Sequence, residues 1–488
     1  MQELVMKQLK RVRWCGVVIG AMAFGCSESP VDESTANATN SGASAPAVST
    51  PLPAAVIPPA LNRPTPATTP ATNTPTSSPD TVPAPGAEVF AVDDIAVRAE
   101  DQPKNVAKLY QVMHAKSQRP TFDELSNTLH RRIDDVLVER DIHGISFGYH
   151  LTPELRGAVC VGLGDVVMNQ QLAPKLRMHA GEVGMTYTAA LVLQLVDQRI
   201  VTLDTPIKRY FGTSDWFTRL PNYDDITIEH LLNHTSGIPD FRVDTQFWPD
   251  LRADDHRAFT PIERVDYILD RSAAAPAGKK WLFSATNYIL LGMILEQVTG
   301  TPYIELLQTR LFEPNELAAT SPCYSVKIGD IVTGYEDPVN GPMEIQGRVY
   351  RKGVFDFNPQ YAWAAGGVVS SPIDLPSWWW RFCSGHVIQP STVARAAQGI
   401  PTTMDNDRFS GLGMMLRPSP NGPALSHDGH FPGYRTAIAY YPDHVMAVSL
   451  QMNEPAKMTA LEVEALLDEL SAIVLSFHDR LIKAGKEG

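Results

Sequence analysis

Between Ser27 and Val89 the chain contains no aromatic residue and few charges, and is a continuous mixture of Pro, Ala, Thr and Ser. Such a segment cannot bury enough apolar surface to offset the entropy of ordering, so residues 27–91 are expected to form a disordered linker with polyproline II bias. A folded core is thereby confined to residues 92–488, which is room for one large domain. The apolar content of the 488-residue chain, 44%, is ordinary for a globular protein. A formal net charge of −13, with no basic cluster beyond the N-terminus, argues against nucleic-acid binding. The five cysteines are scattered and include no C-x-x-C pair, so neither a disulfide framework nor structural zinc is expected.

Residues 1–26 read as an export signal. Lys7, Lys10, Arg11 and Arg13 form a basic start, and Trp14 to Gly25 is an apolar stretch. That stretch is too short to span a bilayer, which takes about 20 apolar residues. It ends Ala23-Phe24-Gly25-Cys26, which resembles a bacterial lipobox, with Cys26 as the lipidated residue. Two positions depart from that pattern, since leucine is usual at Ala23 and a small residue at Phe24. The alternative is an ordinary secretory signal with a chance cysteine. Ser27 and Glu28 lack the aspartate that retains lipoproteins at the inner membrane, so the expected address is the cell envelope, with outer-membrane anchoring as the default.

Local patterns then mark the folded part. Phe122 to Glu139 has a helical apolar face that includes Ile133, Val136 and Leu137, with Thr121 as N-cap. Gly144–His150 and Gly157–Leu163 are β-like runs. Gly433–Tyr441 and Val445–Met452 predict an antiparallel pair turned at Pro442-Asp443-His444. An amphipathic helix is expected over about Thr459–Lys483, and a mostly helical stretch lies between the two groups of strands. Pattern alone gives α+β.

The residues that carry most information start at Glu182-Val183-Gly184-Met185. A helix follows, Thr186-Tyr187-Thr188-Ala189-Ala190-Leu191-Val192-Leu193-Gln194-Leu195-Val196, and then Leu203-Asp204-Thr205-Pro206-Ile207. Further on come Thr227-Ile228-Glu229-His230-Leu231-Leu232-Asn233-His234-Thr235-Ser236-Gly237-Ile238-Pro239 and Asn287–Glu296 with Thr299-Gly300-Thr301-Pro302-Tyr303. Ala364-Ala365-Gly366-Gly367-Val368-Val369-Ser370-Ser371-Pro372 and His427-Asp428-Gly429 complete the set. In this order the segments resemble the serine β-lactamase and penicillin-binding-protein family, in its class C β-lactamase, D,D-peptidase and esterase branch. The resemblance covers about residues 120–475. It implies an antiparallel sheet flanked by helices with an inserted, mostly helical region. It also implies that Gly237 stops the His-Thr-Ser-Gly helix, that Thr301 and Pro302 cap and open a helix, and that His230 and His234 are structural rather than metal ligands.

Active members of that family place a serine nucleophile and, three residues on, a lysine base partner at the start of this helix. Those places hold Glu182 and Met185, and no lysine in the chain has a serine three residues before it. The Tyr-x-Asn motif is replaced by Phe283-Ser284-Ala285, which removes a hydroxyl and an amide. Ser284 has no evident base. The third motif is kept as His427-Asp428-Gly429, followed by His430. Met for Lys and Phe for Tyr conserve size while removing buried polar groups that only catalysis needs. Loss of the nucleophile alone costs about 10⁶ in turnover. The backbone N–H groups of Glu182 and of a residue near His430, which form the family's oxyanion hole, do not depend on side chains. The resemblance thus implies a pseudoenzyme whose pocket, formed by Glu182, Met185, Phe283, Ser284, Ala285, His427, Asp428, Gly429 and His430, binds a cell-wall peptide, a D-amino acid or another small molecule. No cofactor or metal is expected; the same resemblance leaves open that the surface of the domain binds a protein partner, whose identity the sequence does not give. The alternative is altered hydrolytic chemistry with Glu182 as acid or base beside His427. Either way the Glu182 carboxylate is expected within reach of His427, with Met185 and Phe283 beside it.

Overall fold

The computed structural model describes residues 120–486 except 153–154, 338–346 and 405–406. The expected signal, Cys26, the linker and the first residues of the 92–488 segment lie outside the described residues.

Thr121 opens helix α1 (Phe122–Arg140). Its hydroxyl accepts the Glu124 N–H at 3.2 Å, Asp123 and Glu124 occupy the positive end, and Arg140 sits at the negative end. Leu125, Leu129, Ile133, Val136 and Leu137 recur at helical spacing and are all buried. Asp141, at φ 55°, ends the helix and turns the chain into β1 (Gly144–His150). Next come β2 (Arg156–Asp165) and β3 (Gln170–Gln171). The chain leaves the sheet there and returns only at β4 (Ile400–Pro401), followed by β5 (Phe409–Ser410), β6 (Met415–Arg417), β7 (Ala424–Phe431), β8 (Tyr434–Tyr441) and β9 (Met446–Met452). Helix α6 (Ala460–Lys486) closes the fold; the helices of the inserted region that bear on the site are α2 (Met185–Asp197), α3 (Ile228–Leu232), α4 (Ala285–Thr299) and α5 (Asp374–Cys383), with further short helices among them, such as Phe247–Ala253 and Pro390–Ala396.

Among the described residues these nine strands form one sheet in the order β4-β5-β6-β7-β8-β9-β1-β2-β3. Every pair in it is antiparallel, with Phe147 opposite both Leu450 and Val159. The period of two sends alternate side chains to opposite faces. Ala437, Ala439 and Tyr441 of β8 join the core under α1 and α6, whereas Ile438 and Tyr440 join the core shared with the inserted helices. Of that layer, α2 is deeply enclosed. Every residue from Met185 to Leu193 is buried, and its threonine hydroxyls are satisfied inside the protein: Thr186 by Val183 O and the Trp378 indole, Thr188 by Ala364 O and the Tyr303 hydroxyl.

The expected strands, the turn at Pro442–His444 and the two terminal helices are all present. Val445 itself takes φ 53° and belongs to the turn, so β9 starts one residue later. Two local expectations are corrected. α3 ends at Leu232, and the first left-handed residue after it is His234 (φ 58°), with Gly237 (φ 70°) bending the chain again further on. Thr301 does not cap the helix at Tyr303–Leu306; the Tyr303 N–H is taken at 2.8 Å by the Glu296 carboxylate reaching back from α4.

α6 is fastened to the sheet by charge as well as packing. Arg417 of β6 grips Asp468 with two bonds of 2.8 and 2.7 Å, and the Tyr441 hydroxyl donates to the same carboxylate at 2.7 Å. Both charged side chains are almost wholly buried, at 3% and 7% exposure. Asp468→Ala strands a buried guanidinium and is expected to lower unfolding free energy by about 3–5 kcal/mol. Glu469→Ala, which removes an exposed pair with Arg132, is expected to cost less than about 1 kcal/mol. Urea denaturation of the two variants side by side checks the difference.

Candidate active-site cavity

The site forms where the turn before α2 meets the edge of β7. β6 pairs with β7 only from Ala424 to Ser426, so the edge beyond Ser426 is open to that turn. Glycines let the two backbones touch. A Cβ on Gly429 would lie 2.2 Å from Ala180 O and 2.8 Å from Glu182 N. Gly181 takes φ +57°, and a Cβ there would lie 2.6 Å from His430 N. No other residue type fits either position without moving backbone. His179 supports the turn from beneath. Fully buried and stacked on Phe431, it accepts the Gly181 N–H on Nδ1 at 3.1 Å, and burial holds its pKa down at about 3, so the ring stays a neutral acceptor.

Glu182 lies in this turn (Gly181–Gly184) with its side chain 13% exposed. One carboxylate oxygen accepts the His430 backbone N–H at 2.6 Å, and the other accepts from Arg242 Nη1 at 2.6 Å. Arg242 is shared: its Nε and Nη2 also bind Asp240, at 3.1 and 2.8 Å. Asp240 in turn accepts the Ala285 N–H at 3.1 Å, capping α4 from outside. Burial by itself pushes the Glu182 carboxyl up, but the Arg242 guanidinium and the His430 N–H more than offset it and hold the group below the ordinary glutamate value. Asp240 is held down in the same way, with the cost of burial outweighed by Arg242 and the N–H groups it accepts.

The expectation that Glu182 meets His427 is therefore corrected. Its partners are Arg242 and the His430 backbone, and His427 instead turns Nδ1 to its neighbour's carbonyl, Asp428 O, at 2.7 Å. The carboxylate goes to the guanidinium because burial demands a countercharge, which an arginine always carries. Glu182 and His427 do share a cavity of about 280 Å³, together with Phe283, Asp428 and His430. Four residues expected in the pocket do not line it. Met185 is fully buried in the helical core. Ser284 is also buried, its hydroxyl donating to Pro239 O at 3.1 Å, which is no arrangement for a nucleophile. Ala285 contributes its N–H to Asp240, and Gly429 is occupied by the contact with the turn.

The remaining wall is apolar, from Leu232, Trp281, Tyr288, Met404, Met414 and Met415. Phe283, 36% exposed, is clamped between Arg242, 5.5 Å above its ring, and His234, stacked at 4.7 Å. His234 accepts the Ser284 N–H at 3.2 Å, and burial holds its pKa down at about 3. His230 takes the Thr227 N–H in a capping box. Among the described residues no cluster of His, Cys, Asp or Glu is arranged to hold a metal ion. A larger hollow of about 590 Å³ opens along α6 around Asn421, His444 and Lys483, and none of the motif residues lines it.

Sequence reasoning missed Arg242 and Asp240. The signal available was indirect: a glutamate placed in a buried turn needs a cation, and Asp240-Phe241-Arg242 directly follows the most specific of the recognised segments.

Arg242→Ala leaves two buried carboxylates facing each other without a countercharge and is expected to lower stability by about 3–5 kcal/mol. Both carboxyls are held below their ordinary values of 4.5 and 3.8, so the stability they contribute is complete above those values and is lost as pH falls through the lower folded-state values. The advantage of the wild type over Glu182→Gln should accordingly be present at pH 7 and shrink below about pH 4, as measured by denaturation at each pH.

A family model described as Beta-lactamase matches residues 129–472. Penicillin-binding protein 4* of Bacillus subtilis is 26% identical over 303 residues, spanning 58% of this chain and 62% of that protein. D-aminopeptidase of Brucella anthropi is 25% identical over 297 residues, 60% of this chain and 52% of that protein. The chain thus spans less than two thirds of the length of either relative. Among solved structures, a D-stereospecific amidohydrolase from Streptomyces sp. superposes with a TM-score of 0.60 at 22% identity, covering 69% of this chain and 97% of its own. The matched stretch takes in α1, the whole sheet, the inserted helices and the cavity between them. The chain belongs to the β-lactamase family.

Proposed function

We propose that this chain is a non-catalytic member of the family that holds a small ligand in the Glu182–His427 cavity without cleaving it. One observation carries the reading: the Glu182 carboxylate, anchored by Arg242, accepts the His430 N–H. In active relatives a backbone N–H of this strand is expected to receive the oxyanion of an acyl-transfer intermediate. Here an anion that belongs to the protein already sits on it, and Met185 leaves no base three residues on. The ligand class that the family suggests is a cell-wall peptide, a D-amino acid or a related small molecule. Export by residues 1–26 and lipid anchoring at Cys26 complete the proposal, placing the domain in the cell envelope at the end of the 27–91 linker.

A hydrolase with altered chemistry, using Glu182 and His427, draws support from their presence in one cavity. Against it, both Glu182 oxygens are engaged and the carboxyl is held ionised, so it has no proton to give and must leave Arg242 to take one.

Incubation of the protein with a fluorescent penicillin and with a fluorophosphonate is expected to leave its intact mass unchanged. Glu182→Ser alone should stay unlabelled too, because Met185 cannot activate the new hydroxyl. A covalent adduct on the wild-type chain overturns the proposal.

A further inference from the structure

The polar groups of the cavity have a common sense, and it limits the ligand. Most donors near the cavity are directed elsewhere. The His430 backbone N–H goes to Glu182, and Arg242 is divided between Glu182 and Asp240. Tyr288 donates to Leu232 O at 3.0 Å and Ser410 to Asn233 O at 3.3 Å. The Trp281 indole N–H is the exception: it is buried and has no hydrogen-bond partner among the described residues. The acceptors remain. His427 is 8% exposed and lines the cavity; its Nδ1 faces a carbonyl, so in the neutral ring that nitrogen carries the proton and Nε2 is the acceptor. Asp428 also lines the cavity, and among the described residues no side chain is hydrogen-bonded to its carboxylate. The His430 ring, kept neutral by burial with a pKa of about 4, offers one donor and one acceptor.

Charge points the same way. No lysine or arginine is among the described residues that line the cavity. Glu182 and Asp240 share one guanidinium, which leaves a negative charge in excess, and beside it stands the Asp428 carboxyl, whose pKa burial pushes up and which a cationic ligand would hold ionised. Arg435, opposite His430 in β8, offsets part of this from outside the cavity. A carboxylate ligand would meet acceptors and like charge. An ammonium would meet acceptors, opposite charge and the Trp281 ring, which also attracts cations. The volume, about 280 Å³, lies at the small end of ligand sites, and the soft Met414 and Met415 side chains suit an apolar body of variable shape.

We propose that the cavity recognises a primary amine carried on a small apolar or aromatic body, its N–H groups donated to His427 Nε2 and the Asp428 carboxylate. The inference rests on the cavity being a ligand site, as proposed above, and adds the charge and polarity of the ligand.

Three probes of equal size test it: 3-phenylpropylamine, 3-phenylpropanamide and 3-phenylpropionate, titrated into the protein with methyl-labelled methionine and followed by calorimetry and by NMR. The amine should bind about tenfold or more tighter than the carboxylate, with the amide between them, and should move the Met414 and Met415 methyl signals. Asp428→Asn should erase most of the amine's advantage while the other methyl signals keep their wild-type positions. Equal or tighter binding of the carboxylate, or no saturable binding by any probe, overturns the proposal, as does an amine whose binding leaves those two methyls unmoved. These outcomes are separate from the covalent-label test. An adduct there removes the non-catalytic reading and leaves a measured preference for amines intact, whereas a preference for carboxylate here removes only the charge assignment.

Discussion

One guanidinium, that of Arg242, holds together three pieces of chain that meet at the cavity. It binds the turn before α2 through Glu182 and the segment after α3 through Asp240, and Asp240 reaches on to the first N–H of α4. Without it, two carboxylates would be buried side by side. Glu182 would then have to protonate or swing out, and the His430 N–H it satisfies would lose its partner. A structural role thus falls to a residue that takes no part in the family's catalytic motifs. The exchange is intelligible in charge alone: an active relative is expected to keep a cationic lysine within this helix, and here the cation stands outside it and serves a carboxylate.

Much of the architecture was legible because it depends on short-range pattern. α1 declares itself by Thr121, the acidic first turn and the spacing of Leu129, Ile133 and Val136, all of which act within a few residues. The β8–β9 hairpin is equally local, since alternation and a three-residue turn determine its register. The seating of Met185 among apolar neighbours was readable in outline from its chemistry. Its absence from the cavity wall was not, because that depends on which side of α2 the sheet edge approaches.

The misjudged contacts were all long-range or conformational. Glu182 and Arg242 lie 60 positions apart, and nothing in either neighbourhood announces the other. His427 and Glu182 were expected to pair because motif residues converge. They do converge on one cavity, yet the stronger demand of a buried carboxylate for positive charge decided the bond. Gly237 is expected to be the left-handed residue after α3, on the rule that glycine adopts that conformation most easily; Gly237 does adopt it, but His234 adopts it first. The strain is accepted where the ring is thereby delivered under Phe283, with its Nδ1 against the N-terminus of α4.

The glycine contact between the turn and β7 has a kinetic consequence. Gly181 and Gly429 bring backbone against backbone, leaving no side chain to rearrange at the joint between the inserted helices and the sheet. A cavity braced in this way exists before its occupant arrives, so binding need not first order a loop or close two lobes. Association should then be governed by diffusion and orientation, and differences in affinity among ligands should appear in how long each one stays. On the proposed non-catalytic reading, residence time is all that such a site has with which to distinguish one molecule from another.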